Sequence, residues 1–485
     1  MEKFDLAVIG LGPAGHFGAI QAAKEGKRVV AIEASHQVGG AAAVTGTIPS
    51  KALREATIHL AGVRQKAFYG RHYRVKGDLT MRDLTQSTDQ IISQEVGVLE
   101  SQLTRNGVQV VRGYGSFISP TQVVSEGPEG VRVFEAKKIL IAVGSHPARA
   151  PGVDFDGHHI IDSSQILKID RIPRRLTVVG AGVIGVEYAC IFAALGARVT
   201  LVNKGESFLE FLDQEILDVL RFQMQSNRIS FCCGESVEEI KVVDGEAVVR
   251  TESNKVIHGD CVLYSIGRQG STQHLSLEAA GLEADKRGRL QVNESFQTPI
   301  SNIYAAGDVI GFPALAATSR EQGRRAICHA FDFPFSSQSH DLPYGIYTIP
   351  EISTFGPSER ELTRDQIPYE VGRAWYGEIA RGHILGDLHG LLKIVFDPNT
   401  LKLQAVHAIG DGATELIHIG QAVKALEGTI EYFIDAVFNY PTLAECYKVA
   451  AQNGYNRAAY YRPETTNKSA PTGAPQEEPD VDVVT

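Results

Sequence analysis

Leu6-Ala-Val-Ile9-Gly10-Leu-Gly12-Pro-Ala-Gly15 opens the chain, and Leu176-Thr-Val-Val-Gly180-Ala-Gly182-Val-Ile-Gly185 repeats its pattern about 170 residues later. In each stretch a short apolar run reads as a buried strand, the spaced glycines read as a turn, and a helix follows. The first glycine permits the tight turn, the second lets the backbone approach a pyrophosphate, and the third lets helix and strand pack closely. Unpaired N–H groups at the helix start would then hold the phosphates. The first unit continues into a second strand, Arg28 to Ile32, that ends in Glu33, where a carboxylate accepts from both ribose hydroxyls. The second continues into Arg198 to Val202 and ends in Asn203 and Lys204. A Gly triad alone is weak evidence. Two complete units, each with strand, helix and second strand in register, imply two dinucleotides and an α/β fold.

The end of the second unit carries information on the nucleotide. An Asp or Glu there would hold the 2′-hydroxyl of NAD and repel the 2′-phosphate of NADP. Neutral Asn203 can bond the hydroxyl without repelling a phosphate, and Lys204 can offer the phosphate a positive charge. Glu206 and Glu210 close by argue against a pocket selective for NADP alone.

Composition narrows the remaining classes. At 485 residues the chain should divide into roughly three domains. Its 43% hydrophobic content and 48 glycines suit an α/β protein with many tight turns. A net charge of −10 argues against nucleic acid, which demands a basic face. No apolar run reaches the ~18 residues that a membrane span requires. The first strand starts almost at the initiator Met, which leaves no room for a signal peptide and points to the cytoplasm. The six cysteines, Cys190, Cys232, Cys233, Cys261, Cys328 and Cys446, show no metal-like spacing and read as reduced thiols. No metal site is expected.

Between the two units lies Val38-Gly-Gly40-Ala-Ala42-Ala-Val-Thr-Gly-Thr47-Ile-Pro-Ser-Lys51. This segment resembles the redox segment of the flavin disulfide reductases, the family of lipoamide dehydrogenase and glutathione reductase. In that family two cysteines five positions apart lie over the flavin, and here those positions hold Ala42 and Thr47. Lys51 matches the family lysine that pairs with a glutamate, and Glu187 matches that glutamate. The resemblance continues through Lys138-Ile-Leu-Ile-Ala-Val-Gly144-Ser, Cys261-Val-Leu-Tyr-Ser-Ile-Gly267-Arg268 and Ile303-Tyr-Ala-Ala-Gly307-Asp308. It ends at Asn439-Tyr440-Pro441-Thr442-Leu-Ala-Glu445, where Tyr440 replaces the acid–base histidine that serves the dithiol. A phenol with an ordinary pKa of about 10 is poorly suited to that task. Both thiols and their base are therefore lost together.

The runs Gly46 to Arg54 and Gly345 to Ser353 resemble the transhydrogenase branch of this family. That resemblance implies FAD as cofactor, NAD(H) and NADP(H) as substrates, and a homodimer in which NADPH reduces the flavin and NAD+ reoxidises it. Gly10, Gly12, Gly15, Glu33, Gly40, Lys51, Gly144 and Asp308 would hold FAD. Gly180, Gly182, Gly185, Asn203, Lys204 and Gly267 would hold NAD(P). Lys51 and Glu187 would carry the catalytic electrostatics. An NAD(P)H oxidase or quinone-type diaphorase, and a non-catalytic flavin-bound sensor, remain open as alternatives.

The implied domains are FAD-binding (1–150 and 269–341), NAD(P)-binding (151–268) and dimerisation (342–462), followed by an acidic disordered tail (463–485). Helices are expected over Ala52 to Ala67, Asp83 to Arg105, Ala314 to Ala330 and Thr414 to Leu426. Tyr347 through Val395, then Val406 to Ala408, are expected to form strands.

Overall fold

The computed structural model describes residues 1–64, 79–335 and 342–461. The far end of the helix expected to reach Ala67, and the tail 463–485, lie outside the described residues. The first Gly unit builds a sheet around the strand Glu2–Ile9, which runs parallel to Val29–Glu33 on one side and to Gly130–Ile141 on the other. Far along the chain, Ile303–Ala305 returns to pair in parallel with Gly130–Ile141. Sequence-distant segments thus complete one sheet and bring Asp308 back to the first Gly turn.

The second unit forms an all-parallel sheet in the order Ile229–Cys233, Arg198–Asn203, Arg175–Val179, Cys261–Tyr264, Ile160–Asp162. Its helix Val183–Ala194 is buried over most of its length, as a helix between parallel strands and a neighbouring domain must be. A three-stranded antiparallel sheet, Val237–Val243, Glu246–Thr251 and Val256–Gly259, lies beside it. The chain enters and leaves this region through a two-stranded ribbon, Ser145–Pro147 against Arg268–Gly270.

The C-terminal part is a five-stranded antiparallel sheet packed with the helices Ala413–Ala425 and Glu445–Tyr461. Here the strand expectation for Tyr347 through Val395 needs correction. Strands occupy only Ile352–Phe355, Glu370–Trp375 and Leu391–Phe396 of that stretch, and helices form at Glu359–Arg364 and Ala380–Leu385. The first of these helices has a capping box, in which Ser358 and Glu361 satisfy each other's backbone N–H groups. That signal stood in the sequence. The helix after the redox segment also differs, running Thr47–Leu60, with Gly62 at φ +60° just beyond its C-cap.

A fully buried Lys393 ties the C-terminal sheet to the second unit. Its Nζ lies 2.8 Å from Asp213 Oδ1 and 2.7 Å from Glu215 Oε2, and it also contacts Glu359. Those three carboxylates converge as metal ligands would, but the lysine ammonium already occupies their meeting point, and Arg373 pairs with Glu215 at 2.8 Å.

Candidate functional site

One cleft of about 2110 Å³ runs between the two Gly turns and is also walled by the C-terminal sheet domain. That is roughly twice the upper end of ordinary ligand pockets, about 1,000 Å³. The two turns are near copies. Gly10 has φ +94° and Gly180 φ +100°, values that favour glycine. A Cβ at Gly15 would sit 1.9 Å from the Gly10 oxygen, and one at Gly185 2.1 Å from the Gly180 oxygen. Gly12 and Gly182 begin helices that have no side-chain cap, so the first-turn N–H groups are open to phosphate. A Cβ on Gly40 would approach Gly12 Cα to 2.9 Å, so Gly40 keeps this floor clear.

Glu33 is buried at the first strand end. Its carboxylate accepts from the Leu11 N–H at 2.7 Å and the Ser35 N–H at 2.8 Å, and burial raises its pKa above the usual glutamate range. At the far side of the first unit's half of the cleft, Asp308 accepts from the Ser145 hydroxyl at 2.7 Å. Arg268 donates to the Ser145 hydroxyl and carbonyl at 2.7 and 2.6 Å, and its Nε lies 3.7 Å from Asp308. Burial lowers the Arg268 pKa, and Asp308 partly offsets this. Ser145 and Arg268 were not among the site residues expected from sequence. Their signal was adjacency to Gly144 and Gly267, which both line the cleft.

Lys51 and Glu187 meet in the wall between the two halves. Lys51 Nζ lies 2.8 Å from Glu187 Oε2 and 3.3 Å from the Ser50 hydroxyl. Glu187 is only 5% exposed, and its other oxygen accepts from the Tyr347 N–H at 2.7 Å. The Tyr347 ring lies 4.9 Å from Lys51 Nζ, within cation–π range. Segments near the first Gly unit, in the second unit and at the start of the C-terminal sheet region therefore meet at one carboxylate. Behind it, buried Arg54 donates to the Thr348 carbonyl at 2.8 Å and pairs with Glu351 at 3.1 Å. Glu351 in turn accepts from the Thr414 hydroxyl and N–H. Arg54, Tyr347 and Glu351 lie within the two runs that carry the transhydrogenase resemblance, Gly46 to Arg54 and Gly345 to Ser353, but were not among the site residues expected from sequence.

Ala42 and Thr47 line the cleft beside Lys51, and no cysteine lines it among the described residues. All six cysteines are free. Burial pushes the thiols of Cys190, Cys261 and Cys446 up to about 12, so they are inert as thiolates at neutral pH.

At the second strand end, Asn203 donates its amide hydrogens to the Gly205 and Ser207 carbonyls at 3.2 and 2.6 Å. Its Oδ1 accepts from the Ala181 N–H at 3.3 Å. Only spare acceptor capacity on Oδ1 remains for a ribose hydroxyl, and no donor remains for a phosphate. Lys204 is exposed and makes no ion pair with a described residue. Glu235, Glu238, Glu239 and Glu252 line the same part of the cleft, and Glu235 is held by Lys255 at 2.6 Å.

Comparison with known proteins agrees with this geometry. Residues 4–323 match the family model described as pyridine nucleotide-disulphide oxidoreductase, and residues 342–451 match that family's dimerisation domain. A soluble pyridine nucleotide transhydrogenase of Mycobacterium bovis is 48% identical, over 94% of this chain and 98% of that protein. One from Colwellia psychrerythraea is 42% identical, over 94% and 100%. Among solved structures, LpdA of Mycobacterium tuberculosis superposes with a TM-score of 0.86 at 24% identity, covering 93% of this chain and 99% of that one, which speaks to fold alone. The HOCl-induced flavoprotein disulfide reductase RclA of Escherichia coli, solved as a Cu(II) complex, gives 0.84 at 25% identity, with the same coverage.

Proposed function

The chain belongs to the pyridine nucleotide-disulphide oxidoreductase family, and from that premise we propose that it is an FAD-dependent transhydrogenase. It moves a hydride between NADPH and NAD+ and has no disulfide reductase activity. One observation carries this reading: the wall joining the two dinucleotide turns holds a cation–carboxylate pair, Lys51 and Glu187, and no sulfur among the described residues.

The flavin half fits FAD. Its first turn is uncapped and cleared by glycines, Glu33 stands at the strand end, and Ser145 and Arg268 orient Asp308. Gly10, Gly12, Gly15, Glu33, Gly40, Gly144 and Asp308 would hold it. When bound, FAD supplies a two-electron carrier between nicotinamide nucleotides. Lys51 places a fixed positive charge on the cleft wall, where developing negative charge is stabilised. Glu187 and Tyr347 fix that lysine and prevent it from turning to solvent.

Gly180, Gly182, Gly185 and Gly267 would hold the nicotinamide nucleotides. The chain has one such turn, so NADPH and NAD+ occupy it in alternation. Asn203 places no charge beside the ribose, and Lys204 is the cation available to a 2′-phosphate there. The site therefore takes both nucleotides without strong preference. Ala42, Thr47 and Tyr440 leave nothing to reduce a disulfide.

A homodimer is supported by the match to the dimerisation domain and by the segment around Val437 and Tyr440, which are 95% and 74% exposed. No helix among the described residues is long and apolar enough to cross a membrane, and a cytoplasmic setting suits six free cysteines.

The test is anaerobic hydride transfer from NADPH to thio-NAD+ by the purified protein, with oxygen and a quinone as parallel acceptors. Fast thio-NAD+ reduction with slow oxygen and quinone reduction is expected. An enzyme that accepts electrons from NADPH but passes them only to oxygen or quinone would be an oxidase or diaphorase instead.

A further inference from the structure

At the end of the parallel sheet opposite Asn203, three neighbouring strands begin with one short pattern: Arg175-Leu-Thr177, Arg198-Val-Thr200 and Arg228-Ile-Ser230. The register pairs Arg198 with Arg175, and Thr200 with both Thr177 and Ser230. Arg228, just before its strand, accepts from the Val199 N–H at 3.4 Å. Strands lie ~4.8 Å apart and alternate residues share a face, so a row of arginines stands beside a row of hydroxyls. All six residues and His258 line one hollow of about 350 Å³, separate from the nicotinamide cleft.

The charges in this hollow are unbalanced. Arg175 is bound by Asp260 at 2.9 Å and Glu246 at 2.7 Å, and Glu246 also meets His258 at 3.1 Å. Arg198 and Arg228 make no ion pair or side-chain hydrogen bond among the described residues. Two unpaired guanidinium groups thus sit side by side in a chain whose net charge is −10. Arg228 also has φ +64°, a left-handed conformation that is uncommon for a bulky residue. Guanidinium forks match phosphate oxygens bidentately, and hydroxyls can donate to the oxygens left over. The volume lies at the small end of ligand pockets, roughly 300–1,000 Å³, which suits a small ion and is too small for a macromolecular strand.

We propose that this hollow binds a small phosphate-class dianion, held by Arg198 and Arg228 with help from Thr200 and Ser230. Free phosphate or pyrophosphate and the phosphate of a mononucleotide share this chemistry. The strand Arg198–Asn203 runs from this site to the nicotinamide cleft, so an occupant would sit at the far end of a rigid element that also carries Asn203.

The test is calorimetric titration of the FAD-loaded enzyme with pyrophosphate at constant ionic strength, with saturating NAD+ filling the nicotinamide cleft. Native protein and Lys204→Ala should bind alike. The Arg198→Ser/Arg228→Ser variant should bind at least tenfold more weakly while its flavin spectrum is unchanged. Ser230→Ala, a milder change at an exposed position, should weaken binding about threefold. Substituting adenosine monophosphate for pyrophosphate separates the sources: Arg-dependent binding more than tenfold tighter assigns the site to a nucleotide, and comparable or weaker binding assigns it to the free ion. Absence of binding to native protein at 10 mM overturns the proposal. So does undiminished binding by the double-arginine variant, or loss confined to Lys204→Ala.

Discussion

The two Gly units have nearly the same backbone and different chemistry at the strand end. Gly10 and Gly180 differ by a few degrees in φ, and the close approaches of Gly15 and Gly185 agree within 0.2 Å. One strand then ends in a buried carboxylate and the other in an amide. Both side chains brace their own turn: Glu33 accepts from Leu11 and Ser35, and Asn203 bridges Ala181, Gly205 and Ser207. A carboxylate does this as an acceptor only, so it suits a ribose that donates two hydroxyls. The amide does it without charge, so the second turn does not repel a phosphate, but it has no donor left to attract one. On the proposed reading, backbone sets where a dinucleotide lies, and the side chains at the strand end, Asn203 with Lys204, bear on which ones are admitted.

The largest effect is expected where the two units touch. Lys51→Met removes the cation and leaves Glu187 buried with only the Tyr347 N–H. NADPH-to-thio-NAD+ turnover should fall about a hundredfold with little change in nucleotide KM. Stability should drop by about 3 kcal/mol, because breaking a buried pair strands its partner. Urea denaturation with steady-state kinetics checks both.

Making the second unit resemble the first, by Asn203→Asp, should come next. The new charge should lower kcat/KM for NADPH on the order of tenfold to a hundredfold and spare NADH. Loss of the donations to Gly205 and Ser207 should destabilise the turn by about 1–3 kcal/mol. Equal losses for both nucleotides would mean that the strand end does not discriminate.

Lys204→Ala should raise the NADPH KM about fivefold and leave the NADH KM unchanged. The native NADPH KM should rise with salt more steeply than that for NADH, since the cation is exposed. The smallest effect concerns Glu33. Burial raises its folded pKa above the unfolded value, so the folded state binds more protons between the two pKa values. Its charge therefore costs stability above the folded pKa, and the cost disappears as pH falls below the unfolded value. The stability of apo native protein relative to apo Glu33→Gln should improve on acidification toward pH 4.5, measured by thermal unfolding.

The parts legible in the sequence were those in which backbone geometry restricts residue type. Gly10, Gly15, Gly180 and Gly185 are placed by positive φ or close approach, so local spacing revealed both turns. The family resemblance brought Lys51 and Glu187 together across 136 residues. Local pattern could not do the same for Arg54 and Thr348, 294 residues apart, or Arg268 and Ser145, 123 apart. Those pairings exist only once the sheets have formed. Asn203 shows a different limit. Its identity was legible, but the spending of its amide hydrogens on the turn depends on where the Gly205 and Ser207 carbonyls point. The helices inside the expected strands of the C-terminal domain were missed for a simpler reason: the Ser358–Glu361 capping box was there to be read.

On the proposed reading the cleft passes hydride between nucleotides with no thiol store behind it. An anaerobic titration of the purified enzyme with NADPH tests it most directly, following flavin absorbance to the endpoint and then adding thio-NAD+. The flavin should bleach fully with about one equivalent per subunit, two electrons, and thio-NAD+ should restore the colour. Uptake of about two equivalents would reveal a further electron store, and a reduced flavin that thio-NAD+ cannot reoxidise would rule out hydride transfer between nucleotides.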